Sequence, residues 1–244
     1  MKILALEFSS AQRSVAVVNA PEGRAAASDV RSPTSGLALK PGNVPVFATT
    51  GSVISEVIET GPGGTRALAM VQEALREAKL EREQIECLAV GLGPGSYTGI
   101  RAAIALAQGW QIARGVKLIG ISSAECLAAQ AQSEGLTGKV TVMIDAQRGE
   151  FYLAGYEIRA EGYREFAPLR IATPAEARDR ERAGEVLIGP EATRGVKGRI
   201  LFPRAATIGR LASGRSDFVA GEKLEPVYLR ETAFVKAPPP RMIS

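Results

Sequence analysis

The string GLGPGSYTGIR, Gly91 to Arg101, is the best place in this chain for backbone chemistry, because it lies between an apolar strand and the start of a helix. N–H groups and the helix dipole at such a junction favour an anion. The string departs, however, from each established pattern. No Lys follows its glycines as a P-loop requires, and Ser96 stands where a dinucleotide loop counted from Gly91 needs its last glycine. Ser96 directly follows Gly95, so it is not the serine of a G-x-S-x-G elbow. The competing reading is a tight strand-to-helix turn over Gly93, Gly95, Ser96, Tyr97, Thr98 and Gly99. Gly93 and Gly95 then take angles barred to other residues, and Ser96 or Thr98 caps the helix.

Glu7 and Asp145 are the next candidates. Each ends an apolar strand, and the flanking stretches KILALEFSSAQRSVAV and KVTVMIDAQRGEFYLA share order and rhythm, with Ala11-Gln12-Arg13 matched by Ala146-Gln147-Arg148. A pseudo-two-fold arrangement would bring both acids to one cleft, where ATPases of the actin and sugar-kinase class hold a nucleotide's metal and phosphates. The adjoining loops Phe8-Ser9-Ser10 and Ala146-Gln147-Arg148 lack the early glycine that lets backbone approach phosphate. Acids that cap their own turns are the alternative.

The chain has no histidine, which excludes Ser-His-Asp and Cys-His machinery, H-x-x-x-H metal sites and imidazole base chemistry. Cys87 and Cys126 lie far apart without C-x-x-C spacing, as expected for two buried thiols in a reducing cytosol. No metal and no cofactor are expected. The 30 Lys plus Arg against 26 Asp plus Glu give +4, a mildly cationic balance that permits nucleic acid without demanding it. Arginines between Arg159 and Arg182, and between Arg194 and Arg215, read first as solvated faces. No stretch approaches the length of a membrane span, so a cytoplasmic protein without membrane contact is expected.

The elements that position these residues follow from periodicity and punctuation. Strands are expected over 2–8, 14–19, 53–60, 87–92, 117–121, 139–145, 150–158, 164–171 and 186–188. Helices are expected over 65–79, 98–114 and 122–133, the last started by a capping box of Ser122 and Glu125. Thr173-Pro174-Ala175-Glu176 caps another. Pro and Gly punctuate 20–52 too often for a core element, so it reads as an irregular insertion. The whole is an α/β fold built from a duplicated β-β-β-α-β unit. An N-terminal lobe covers 1–116, a C-terminal lobe 117–236, and a loose Pro-rich tail 237–244.

The helix over 98–114 is apolar or small almost all round, and Leu68 widens the stripe of Val71 and Leu75 on the preceding helix. Such surplus apolar surface is covered either by the chain's own second half or by a docking partner. For a partner, the candidate contacts are Leu68, Val71, Leu75, Ile100, Ala103, Ile104, Ala107 and Trp110, with Ala103 and Ala107 as the outward row.

The chain resembles the TsaB (YeaZ-like) family over nearly its whole length. The resemblance rests on ILALEFSS, GPGSYTGIR with its Ala-rich helix, GISSAECLA, DAQRGEFY and PVYLR. It implies a two-lobed actin-like (ribonuclease H-like) fold and a non-catalytic scaffold. That scaffold pairs with a TsaD-type catalytic subunit through the two helices, and through the complex with a TsaE-type ATPase and indirectly with tRNA. The reaction implied is threonylcarbamoyl transfer to N6 of adenosine 37 in tRNAs reading codons that begin with A. A third reading, beside the scaffold and the rival enzymes below, is a stand-alone homodimer through the same helices. The rival classes are a small ATP-dependent kinase of the actin superfamily and a metallopeptidase, the latter opposed by the missing histidine. Glu7-Phe8-Ser9 replaces the family's Asp-Thr-Ser, Tyr97 its usual Phe, and Gln147-Arg148 its dibasic turn, and 20–52 is longer than the family's hairpin turn.

Overall fold

Strands β1 (Lys2–Glu7) and β2 (Gln12–Asn19) form an antiparallel hairpin whose register runs from Lys2 opposite Asn19 to Glu7 opposite Ser14. Strand β3 (Ser52–Thr60) pairs antiparallel with β2. The chain then winds through α1 (Ala67–Ala78), β4 (Cys87–Gly91), α2 (Tyr97–Arg114) and β5 (Lys117–Ile121). This adds two parallel strands and gives a sheet ordered β3-β2-β1-β4-β5. The computed structural model describes residues 1–21, 51–61 and 66–230. The insertion expected over 20–52, except its ends, the first residue of the helix expected from 65, and the tail 237–244 lie outside the described residues.

Helix α3 (Ser123–Ser133) leads to the second half. There β6 (Gly138–Asp145), β7 (Phe151–Arg159) and β8 (Gly162–Ala172) form an antiparallel meander. Helix α4 (Pro174–Arg182), β9 (Val186–Gly189), β10 (Gly198–Ile200) and α5 (Ala205–Ser213) follow. The second sheet is ordered β10-β9-β6-β7-β8, the same plan as the first read in reverse. The duplicated unit expected from the sequence is therefore present. In the first copy a helix, α2, joins β4 to β5, whereas no helix joins β9 to β10 in the second.

Alternation along β1 sends Leu4 and Leu6 to one face, where Met70, Val71, Leu75, Ile100 and Ala103 of α1 and α2 cover them. Ile3 and Ala5 point the other way. They share a core with α3, α5 and the inner residues Val140, Val142, Ile144, Tyr152 and Tyr156 of the second sheet. The inner helices cross over: α5 lies on β1 and β2, and α3 on β6, β7 and β8. Strand β5 hydrogen-bonds to β4, so the first sheet extends past residue 116, where the sequence divides the lobes.

One cap is as expected and one is not. Thr173 Oγ1 accepts from the Glu176 N–H at 3.4 Å while Glu176 accepts from the Thr173 N–H at 2.8 Å. At α3 the Ser122–Glu125 box does not form. Glu125 instead pairs with the buried Arg215 and accepts from the Tyr163 hydroxyl at 3.1 Å, because a guanidinium taken out of water needs a carboxylate more than a helix end does. The α3 N-terminus is met by the glycine turn, the Ser123 N–H donating to Gly93 O at 2.8 Å. No helix among the described residues is long and apolar enough to cross a membrane.

Candidate functional site

The glycine string folds as a strand-to-helix turn pressed onto the end of the β1–β2 hairpin. Gly93 and Gly95 have φ of +84° and +145°. A Cβ on Gly95 would overlap the Ser9 carbonyl oxygen, and one on Gly99 that of Phe8. The Ser96 N–H donates to Ser9 O at 2.6 Å, and Ser96 Oγ caps α2 by accepting from the Gly99 N–H at 3.4 Å. Several of the N–H groups that could hold an anion are thus used within the protein, and the glycines serve close backbone packing.

Glu7 and Asp145 cap their own turns in the same way. Glu7 Oε1 accepts from the Ser9 N–H at 2.7 Å, and Asp145 Oδ1 from the Gln147 N–H at 2.9 Å. Glu7 is fully buried, receives a second bond from Ser123 Oγ at 2.8 Å, and lines no open cleft. Burial pushes its carboxyl above the ordinary glutamate value, against the lowering effect of Ser9 and Ser123. Asp145 is partly exposed, 3.5 Å from the Arg194 guanidinium. Among the described residues no three His, Cys, Asp or Glu side chains gather as metal ligands. Cys87 and Cys126 are free and buried, and burial pushes the Cys87 thiol up to about 12.

The sequence-predicted contact residues divide sharply. Ile100, Ala103 and Ala107 have no exposed surface and Val71, Leu75 and Ile104 are buried, all six packed in the core beneath α1 and α2. Ala103 and Ala107 are therefore the inward row, a correction to the expected orientation: the sheet claims the side of α2 that lets its backbone come closest. Leu68 is 63% exposed and Trp110 partly so. The outward row is Ala105, Gly109 and Ala113, beside Ile112 at 87% exposure. Leu68, Leu106, Gly109, Trp110 and Ala113 line an open, mainly apolar groove of about 530 Å³ between α1 and α2, rimmed by Arg82, Glu83 and Arg114.

Gly109 is the most informative of these. It sits in the middle of an 18-residue helix, where glycine costs roughly 1 kcal/mol against alanine. Yet a Cβ there would meet nothing within 4 Å. The fold itself does not require the missing side chain.

The C-terminal segment packs at the N-terminal end of α2. Tyr228 stacks on Tyr97 with ring centroids 5.5 Å apart, and the Arg101 guanidinium lies 4.2 Å from the centre of the Tyr97 ring. PVYLR reads as an extended segment in the sequence, which carries no signal for its contacts, because they join residues 80 or more positions apart.

The profile of the family described as "TsaD: tRNA N6-adenosine threonylcarbamoyltransferase" matches residues 64–228. The chain is 30% identical to the tRNA threonylcarbamoyladenosine biosynthesis protein TsaB of Escherichia coli, over 71% of this chain and 83% of that protein. It is 27% identical to the TsaB protein of Haemophilus influenzae, over 71% and 82% of the two chains. Among solved structures, YeaZ from Pseudomonas aeruginosa superposes with a TM-score of 0.68 and 25% identity, covering 93% of this chain and 99% of that one. A second, from the same organism and described as similar to peptidase YEAZ, gives 0.69 and 25%, with 94% and 99% covered.

Proposed function

The chain belongs to the family of TsaD-type tRNA N6-adenosine threonylcarbamoyltransferases, within which it is similar to TsaB proteins, and from that membership we propose that it is a scaffold subunit in tRNA threonylcarbamoyladenosine biosynthesis. Its fold is accordingly actin-like. In this reading the chain carries no chemistry of its own. It docks a TsaD-type catalytic subunit on the exposed face of α1 and α2, and the complex transfers threonylcarbamoyl to the tRNA adenosine.

The observation that carries the reading is Gly109. A mid-helix glycine whose side-chain space is open, in an outward row with Ala105 and Ala113, is accounted for by another helix packing closely there. The choice of partner has a physical argument too. The family profile named for TsaD spans α1 and α2 of this chain, so a TsaD-type protein carries a like helix pair, and two like pairs can pack about a pseudo-two-fold axis. The absence of histidine and the burial of Glu7 support a non-catalytic role.

The test is Gly109→Arg. The isolated variant should fold as the parent does, fail to capture the TsaD-type subunit, and leave tRNA unmodified when it replaces the parent in cells. Retained capture and modification would sink the docking reading. A second copy of this chain fits the same geometry. A parent protein that sediments as a dimer and refuses the TsaD-type subunit would establish that occupant instead.

A further inference from the structure

The Ala146-Gln147-Arg148 turn, singled out in the sequence by its match to Ala11-Gln12-Arg13, is not absorbed by the docking surface. Its backbone is unusual. Gln147 and Arg148 have φ of 64° and 55°, followed by Gly149 at 78°, and apart from Lys79 they are the non-glycine residues at positive φ among those described. Such angles are unfavourable for residues carrying a Cβ and persist where surroundings enforce them. The matching triplet at Ala11–Arg13 does not adopt them, since Gln12 and Arg13 are already in β2. The conformation therefore belongs to the site and not to the triplet.

The turn is held from within by Asp145 Oδ1, which accepts from the Gln147 N–H, and from outside by the C-terminal segment. One guanidinium nitrogen of Arg230 donates both to Ala146 O at 3.1 Å and to the Glu150 carboxylate at 2.6 Å, gripping the two ends of the turn. Inside that grip the Ala146 N–H donates to Glu150 O and the Glu150 N–H to Gln147 O, each at 3.0 Å. Two residues earlier, Tyr228 stacks on Tyr97, the first residue of α2. Further back the Val227 N–H donates to Leu92 O at 2.9 Å, Leu224 is buried beneath α2, and Gly221 is bonded to Gln108 and Gln111 of α2. The segment thus runs along the flank of α2, turns at its N-terminus and ends on the second half.

We propose that residues 224–230 are a latch between the two halves, in which the Tyr228–Tyr97 stack seats Arg230 on the left-handed Gln147–Gly149 turn, so that occupancy of the α2 face and the conformation of that turn are coupled. The latch stands on the contacts above. The coupling to occupancy rests on the docking reading. Coupling of this kind is reciprocal: a partner that steadies Tyr97 steadies the turn, and loosening the turn weakens the partner's hold.

The test is amide exchange in the full chain, read at Ala146 and Glu150. Arg230→Ala should speed exchange there. The decisive variant is Tyr228→Ala, which touches neither residue and should speed it about tenfold or more while β1 and α1 stay protected. If Tyr228→Ala fails to fold, Tyr97→Ala breaks the same stack from the other side and is read identically. Acceleration by Arg230→Ala alone would overturn the latch, leaving a local clamp. Equal acceleration throughout the chain would also overturn it, as general destabilisation. With the TsaD-type subunit added, the turn should exchange more slowly in the parent and show no such slowing in Tyr228→Ala; a complex that forms without slowing the parent's turn overturns the coupling. If no complex forms, the docking reading and the coupled step fail together, while exchange in the chain alone still decides the latch.

Discussion

The carboxylate of Glu56, on β3, accepts the backbone N–H of Ala206 at 3.0 Å, so a strand of the N-terminal half caps a helix supplied by the C-terminal half. Ser14 Oγ accepts the neighbouring Ala205 N–H at 2.8 Å, and Arg204 pairs with Glu56. The orphan donors of α5 and its dipole are thus met across the molecule.

Removing that cap should weaken both halves together. Glu56→Ala is expected to cost about 1–3 kcal/mol, because it strips a helix end and leaves Arg204 without its carboxylate. Denaturant unfolding followed by Trp110 fluorescence and by far-ultraviolet dichroism should shift to the same lower midpoint. Separated midpoints would show that α3 and α5 do not bind the halves into one cooperative unit.

The glycine turn should tolerate no side chain at its closest approach. Gly95→Ala forces a Cβ into Ser9 O at a φ of +145°, for an expected loss of about 2–4 kcal/mol. Thermal unfolding of the variant decides it; a loss under about 0.5 kcal/mol, the scale of an ordinary surface change, would mean that the turn moves freely away from the hairpin.

Glu7 gives a pH dependence with a definite sign. Its folded value lies above the ordinary one, chiefly through burial, so the native chain holds the proton more tightly than the unfolded chain does. Its contribution is fully present below the unfolded value and is lost as pH rises through the folded value. Stability of the parent minus that of Glu7→Gln should therefore decrease from acid pH toward neutrality. A flat difference would show that the bonds from Ser9 and Ser123 offset burial, and one that grows with pH that they outweigh it.

Local chemistry was legible in the sequence where one short segment decides it. The Thr173–Glu176 cap, the Ser96 cap and the turn-capping roles of Glu7 and Asp145 each depend on partners within three residues. What was not legible depends on distant partners. In the sequence Glu125 reads as a capping residue, because Arg215, 90 positions away, is invisible locally. The crossing of α3 and α5 leaves no periodic mark. The facing of α2 is the plainest case: Ala103 and Ala107, buried, and Ala105 and Ala113, exposed, are the same residue type, so hydropathy cannot orient a helix that is small on every side.

That ambiguity, resolved by the structure, sets the last prediction. Ala107→Arg is a poor probe of docking, since the side chain would enter the core and should cost the fold several kcal/mol. Gly109→Ala separates the two demands on α2. The added methyl meets nothing within the chain and removes a mid-helix glycine, so the isolated protein should gain about 0.5–1 kcal/mol. If a TsaD-type helix packs closely on this row, the same methyl enters the contact and should weaken the complex, by about 1–3 kcal/mol on the scale of an overpacked core. Calorimetric titration of the pair, beside thermal unfolding of the chain alone, reads both numbers. A stabilised chain with undiminished affinity would place the interface elsewhere, whereas a destabilised one would mean that α2 is already covered by the chain itself.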